Sequence, residues 1–214
     1  LLSGVFYTAI AKYSGILISL IITGVLARLI SPDKFGIVAV VTVITFFFSI
    51  FSDLGIGAAI IQNKELQQKD LNQLFSFTVW SGCILTLLFF LCSWPISFFY
   101  KEPSMRTITQ LLAINLFFAS ANIVPNALLY KAKAFKFLAW RSLGVQITGG
   151  IIAILAALNG VGLYALIINP ILSSILLFII SYRKYPQTLE MTWGIPSIRK
   201  IFKFSAYQFM FNII

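Results

Sequence analysis

The sequence predicts an all-α polytopic membrane helix bundle, with six complete transmembrane helices and the start of a seventh. Three observations predict this class. Apolar residues make up 59% of the 214 and charged residues 10%, where a soluble domain carries roughly 25% charge. Apolar runs long enough to cross a ~30 Å hydrocarbon core recur along the chain. The charges fall in short segments between those runs, as they do in membrane proteins. Such a chain needs lipid as its solvent. The net charge of +10 therefore does not mark a nucleic-acid binder, whose charge lies on a hydrated face or tail. His is absent, which excludes a His-based metal site or a His general base within these 214 residues. Cys83 and Cys92 lie ~13 Å apart along a helix axis, too far for a disulfide, and read as apolar filler.

Residues 4–30 read as the first span, with Lys12 inside it and Arg28 closing it. Ser31-Pro32-Asp33 is turn chemistry, because Pro biases the residue before it out of the helix and Asp can bond the local backbone. Residues 36–61 form the second span, interrupted near its far end by Asp53, Gly55 and Gly57. The polar loop NKELQQKD (63–70) follows. The third span, 71–100, carries Trp94-Pro95 near its end, read as an interfacial anchor and a kink. After the short turn KEPSMR (101–106), the fourth span runs from 107 to 130. Residues 131–141, KAKAFKFLAWR, read as a basic, aromatic loop or helix start. Residues 142–182 are uncharged and, as one helix, would be about twice as long as the bilayer is thick. The turn Asn159-Gly160-Val161-Gly162 divides them into a fifth and a sixth span. A polar loop leads to a seventh apolar run from Phe204. The chain starts at Leu1 and stops within that run, so it reads as a piece of a longer protein, and no cleavable signal peptide is visible. Segment 199–214 loosely echoes 4–19, too weakly to establish a repeat.

Orientation follows from Lys and Arg. One set of alternate loops holds eleven of them (Lys64, Lys69, Lys131, Lys133, Lys136, Arg141, Arg183, Lys184, Arg199, Lys200, Lys203), and the other set holds three (Lys34, Lys101, Arg106). The positive-inside rule makes the first set, and with it the N-terminus, cytoplasmic.

Two stretches, ARLISPDKFG (27–36) and FSDLGIGAAIIQ (51–62), resemble the first hairpin of the polysaccharide flippases. These are the exporters of lipid-linked sugars in the multidrug/oligosaccharidyl-lipid/polysaccharide exporter superfamily. The resemblance runs the length of the chain but covers about half of such a transporter, its N-terminal half. It implies a six-helix lobe over 1–184, a cytoplasmic inter-lobe loop over 185–203, and the first helix of a second lobe from 204 to 214. It also implies two lobes around a central cavity in a bacterial cytoplasmic (inner) membrane. The cargo it implies is an undecaprenyl-diphosphate-linked oligosaccharide moved from the cytoplasmic to the outer leaflet, for products such as lipopolysaccharide or exopolysaccharide. Its partners would be that lipid-linked oligosaccharide, the membrane lipids, and a polysaccharide polymerase with other export machinery. Nucleic acid and cofactors have no place in this reading.

Several residues are candidates for carrying the function. A charge within a span costs ~2.5–3.5 kcal/mol on insertion scales and is rare unless it pairs or lines water. Lys12 and Arg28 could hold a diphosphate near the two ends of a path, or snorkel to the two headgroup layers. Asp53 could couple transport to a proton or cation, could pair with Lys12 or Lys64, or could punctuate the helix as an N-cap beside Gly55 and Gly57, the favoured reading. Asn115, Asn122 and Asn126 fall at i, i+7 and i+11, so one helical stripe can hold all three. They could meet sugar hydroxyls in a cavity or bond neighbouring helices.

Other chemistries are disfavoured. No Gly-rich phosphate loop is present, which argues against ATP hydrolysis. The six acids are scattered over both sides, which argues against a metal-dependent transferase, and no metal ligand set or catalytic residue is expected. Two rivals stay open: a multidrug/cation antiporter of the same superfamily, and a membrane scaffold for glycosyltransferases that moves no lipid.

Overall fold

The computed structural model describes residues 2–53, 55–63 and 65–190. The seventh apolar run, the echo segment and most of the expected inter-lobe loop lie outside these residues. Eight α-helices follow one another: α1 (Leu2–Leu29), α2 (Pro32–Asp53), α3 (Ile56–Gln62), α4 (Gln68–Tyr100), α5 (Pro103–Ala121), α6 (Ile123–Lys131), α7 (Phe135–Leu158) and α8 (Ala165–Lys184), with a 3-10 turn at Gly162–Tyr164 before α8. The described residues contain no strand. Five of the helical segments are long and apolar enough to cross a membrane, and α5 with α6 makes a sixth span bent by 40°. The chain is a multi-pass, all-α bundle.

Local chemistry sets the ends of the helices. Gln67 and Asp70 form a reciprocal capping box at the start of α4, in which the Gln67 N–H donates to Asp70 Oδ2 at 3.0 Å. Glu102 caps α5 by accepting from the Ser104 N–H, with Pro103 in the first turn, where its missing N–H costs nothing. The turn between α7 and α8 is made by Gly160 and Gly162 at φ 78° and 62°, a region in which only glycine is at ease. The Trp94-Pro95 pair does not end its span, because α4 continues as one helix through Pro95 to Tyr100. The second and fourth spans, in contrast, are each built from two helices.

α5 lies at the centre, packed against α2, α4, α6 and α8. α1 packs chiefly along α7, and α7 in turn against α8. Three apolar clusters follow from this. One joins Ile56, Ile60, Leu74, Phe75, Val124 and Leu128 around the helix breaks. A second holds Val41, Phe89, Ile108, Leu112, Leu116 and Ile167 around α5. A third, of Ile22, Leu26, Ile30, Ala153 and Ala165, attaches α1 to α7. Large apolar side chains such as Val43, Phe46, Phe98 and Leu158 stay more than half exposed, as lipid-facing residues do.

Lipid tails are as apolar as Leu, so helix association there depends on close packing and interhelical hydrogen bonds. The structure supplies both at one crossing. Gly82 of α4 is buried against Ser120 of α5, and the Ser120 hydroxyl donates to Ser52 Oγ of α2 at 2.9 Å. A methyl group at Gly82 would come within 2.6 Å of Ser120 Cβ, closer than packed atoms allow. Residues 185–190 fold back along α4: the Thr188 N–H donates to Asn72 Oδ1 at 3.3 Å and the Glu190 N–H to Ser76 Oγ at 2.8 Å. The beginning of the segment expected as an inter-lobe loop is thus fastened to the lobe.

Gly82→Ala should lower stability by about 1–3 kcal/mol through overpacking, measured as a fall in the thermal unfolding midpoint of the full-length protein in detergent. Gly24→Ala, where a methyl group meets nothing within 4 Å, should leave the midpoint unchanged or raise it.

Candidate functional site: a polar cleft between two helix breaks

The second and fourth spans break on the same side of the bundle, and a cleft opens between the two breaks. In the second span, Gly55 adopts φ 77°, a left-handed turn that lets the chain leave α2 and re-enter a helix as α3. The Asp53 carboxylate closes the gap by accepting a 3.0 Å hydrogen bond from the Gly57 N–H. It thereby satisfies a donor in the first turn of α3 that has no intrahelical partner. In the fourth span Asn122 stands between α5 and α6, at the 40° bend. α3 packs on α6, and the Lys131 ammonium at the end of α6 donates to the Asn63 carbonyl at the end of α3, at 2.7 Å. A cation at a helix C-terminus is favoured by the exposed carbonyls there.

The cleft has a volume of about 320 Å³, and its polar lining is Asp53, Asn122, Asn126 and Tyr130. The rest of the wall is apolar and is made by Gly57, Ala58, Ile61, Ala119, Ile123 and Ala127. Asn122 Oδ1 is buried without a hydrogen-bond partner. Asn126 accepts from Arg141 Nη2 at 2.9 Å.

The structure moves Arg141 out of the loop charges. Arg141 lies in the second turn of α7 and is only 9% exposed. α7 begins at Phe135, so the basic, aromatic segment is helical from there on. The Arg141 guanidinium spans three helices, donating to Ser181 of α8 through Nη1 and to Asn126 of α6 through Nη2, while Nε has no partner. Only its spacing from Asn126 and Ser181 in three dimensions marks it, and nothing in the one-dimensional pattern separates it from Lys136. Without Arg141 the loop count stands at ten against three, so the predicted orientation is unaffected.

The remaining candidates are placed elsewhere. Asn115 lies on α5 but outside the cleft lining. Lys12 and Arg28 are exposed on α1, the helix that packs along α7, and neither lines the cleft. At ~100° per residue they stand about 160° apart around an ideal helix, so a straight α1 does not offer both to one face. Gln146 of α7 holds α1 through a 2.9 Å bond to the Gly15 carbonyl. Lys64, the other suggested partner of Asp53, is outside the described residues. No group of three or more potential metal ligands occurs among the described residues.

Apolar spans, two of them broken around a polar cleft, define a multi-pass membrane protein with hydrogen-bonding groups gathered at one end of its bundle. The chain belongs to the polysaccharide biosynthesis protein family, whose sequence model matches residues 25–214. Among curated relatives it is 28% identical to the lipopolysaccharide biosynthesis protein WzxC of Escherichia coli over 152 residues, 71% of this chain and 30% of that protein. It is 22% identical to the succinoglycan biosynthesis transport protein ExoT of Rhizobium meliloti, over 71% of this chain and 31% of that protein. It is 21% identical to an uncharacterized membrane protein of the cps region of Klebsiella pneumoniae, over 97% of this chain and 43% of that one. The chain thus spans less than half the length of these relatives. No solved structure gives a significant match.

Arg141→Ala should destabilise the protein by about 1–3 kcal/mol, since Asn126 and Ser181 lose a charged donor. A double-mutant cycle with Ser181→Ala, followed by equilibrium unfolding in detergent, should give a coupling energy of at least about 0.5 kcal/mol.

Proposed function

We propose that the full-length protein is a transporter that flips an undecaprenyl-diphosphate-linked oligosaccharide from the cytoplasmic to the outer leaflet, for polysaccharide biosynthesis and export. The observation that carries this reading is the family match over residues 25–214 of an all-α multi-pass bundle. The name of ExoT, a succinoglycan biosynthesis transport protein, favours a transporter over a transferase. In this reading no bond is made or broken. The polyprenyl tail stays in lipid, while phosphate and sugars cross in a polar path between two lobes that alternate in access.

The charge pattern supports an anionic cargo. α1 carries two exposed cations, Lys12 and Arg28, and no acid. Its packing chiefly along one neighbour leaves Leu17, Leu20 and Ile21 exposed, a surface open to the second lobe that the resemblance implies. Asp53, the acid that a cation antiporter would use, has its carboxylate engaged by the Gly57 N–H, which favours helix punctuation over coupling. The loop charges favour a cytoplasmic N-terminus in a bacterial inner membrane, with the helix breaks and their cleft toward the cytoplasm.

Orientation is checked by thiol labelling of intact cells that express the full-length protein with Cys83 and Cys92 replaced by Ala. A membrane-impermeant maleimide should label Lys101→Cys and spare Lys133→Cys until the cells are opened; the opposite result would invert the topology.

Translocation is checked in proteoliposomes with a short undecaprenyl-diphosphate oligosaccharide. The wild-type protein should move it, and Lys12→Ala or Arg28→Ala, whichever faces the path, should slow the initial rate about tenfold or more, the worth of one charge-assisted bond. Unchanged rates in both variants would return the two cations to headgroup anchoring. A protein that takes up a cationic dye instead of moving lipid would be an antiporter, and one with neither activity a scaffold.

A further inference from the structure

The chemistry of the cleft between the two helix breaks is more specific than its polarity. A guanidinium has only donors, so the atom of Asn126 that faces Arg141 must be its amide oxygen. That contact settles the orientation of the amide and leaves the Asn126 NH2 group without a protein partner among the described residues. Asn122 stands in the same wall, with its amide oxygen turned inward and buried. Asp53 contributes a carboxylate that uses one oxygen on Gly57, with its other oxygen and further lone pairs available. Tyr130, 41% exposed, adds a phenol and an aromatic face to the same wall. The lining therefore offers an amide donor, a carboxylate acceptor, a phenol that can do either and a flat ring, and no cation.

This set matches a sugar ring. Each hydroxyl is both donor and acceptor, so neighbouring hydroxyls can donate to the Asp53 carboxylate while another accepts from the Asn126 NH2. The C–H face of a pyranose is apolar and lies well on an aromatic ring. A volume of about 320 Å³ is at the small end of the ~300–1,000 Å³ range of ligand pockets, sized for one ring rather than an oligosaccharide. The lining also disfavours a diphosphate, because Asp53 would repel it and Arg141 is turned toward Ser181 and Asn126.

We propose that this cleft is a saccharide subsite that takes a single neutral sugar ring through Asp53, Asn122, Asn126 and Tyr130, with Arg141 as the positioning residue that orients the Asn126 amide. That the ring belongs to the transported glycan rests on the flippase reading above; the binding chemistry does not.

The test is saturation-transfer NMR on the full-length protein in nanodiscs, with free glucose, galactose and N-acetylglucosamine as probes. Transfer to at least one sugar is expected. It should fall at least fivefold in Asn126→Asp, which keeps an acceptor for Arg141 but replaces the free NH2 donor by a further acceptor. It should fall equally in Ala119→Phe, which fills the opening without removing a polar group. Both variants are first checked for wild-type insertion and unfolding midpoint. No transfer to the wild-type protein, or transfer unchanged in both variants, overturns the subsite and leaves a water-filled cleft. Paired with the translocation assay, the outcomes separate: flipping without sugar contact removes the subsite alone, and cleft-dependent sugar contact without flipping removes the transporter reading alone.

Discussion

Lipid offers no hydrogen bonds. A backbone or side-chain polar group inside the bilayer that lacks a protein partner or a trapped water costs several kcal/mol. The rest of this structure depends on that constraint. It explains why the described residues form helices, and why hydroxyls within the helices turn back on their own backbone, as Thr45 does to Val41 and Thr109 to Met105. It also explains why polar side chains find partners at helix crossings, as Ser52 meets Ser120 and Gln146 meets the Gly15 carbonyl.

The two broken spans are where the constraint is hardest to meet, because a break exposes unpaired backbone groups. In the second span the Asp53 carboxylate and the left-handed Gly55 answer it locally. Between α3 and α6 the Lys131 ammonium answers it across helices, on the carbonyl of Asn63. In the fourth span the Asn122 oxygen is left unanswered. The Asp53 carboxylate and the Asn126 amide, oriented by Arg141, are the polar groups at that end of the bundle on which the proposed subsite rests. The packed remainder serves as scaffold.

Arg141 sits between the structural and functional roles. A guanidinium in a lipid-embedded lobe, bonded to two neutral side chains and with Nε still free, is held by geometry more than by charge neutralisation. It ties α6, α7 and α8 together beneath the cleft. A change in the relative position of those helices would disturb the Asn126 amide.

Composition and run length were sufficient for the class, the number of spans and most of their ends, because a span must be apolar for about 20 residues and its charges must lie outside it. Turn chemistry read from residues likewise located the Asp53–Gly55 interruption and the Gly160–Gly162 turn, since a left-handed backbone has few residue choices. The alignment of Asn122 with Asn126 was legible as a helical stripe, but the 40° bend at Asn122 was not, and neither was the separation of Asn115 from the cleft. Pro125, in the first turn of α6, has no N–H for the carbonyl of Ala121 that ends α5, a mark of the break that periodicity does not report. Only the tertiary structure decided that Asp53 faces the two asparagines, that Arg141 is buried rather than a loop charge, and that Lys12 and Arg28 stand apart from this cleft. The contacts that decide this join residues from fifteen to about seventy positions apart, set by how helices pack and not by any local preference of the chain.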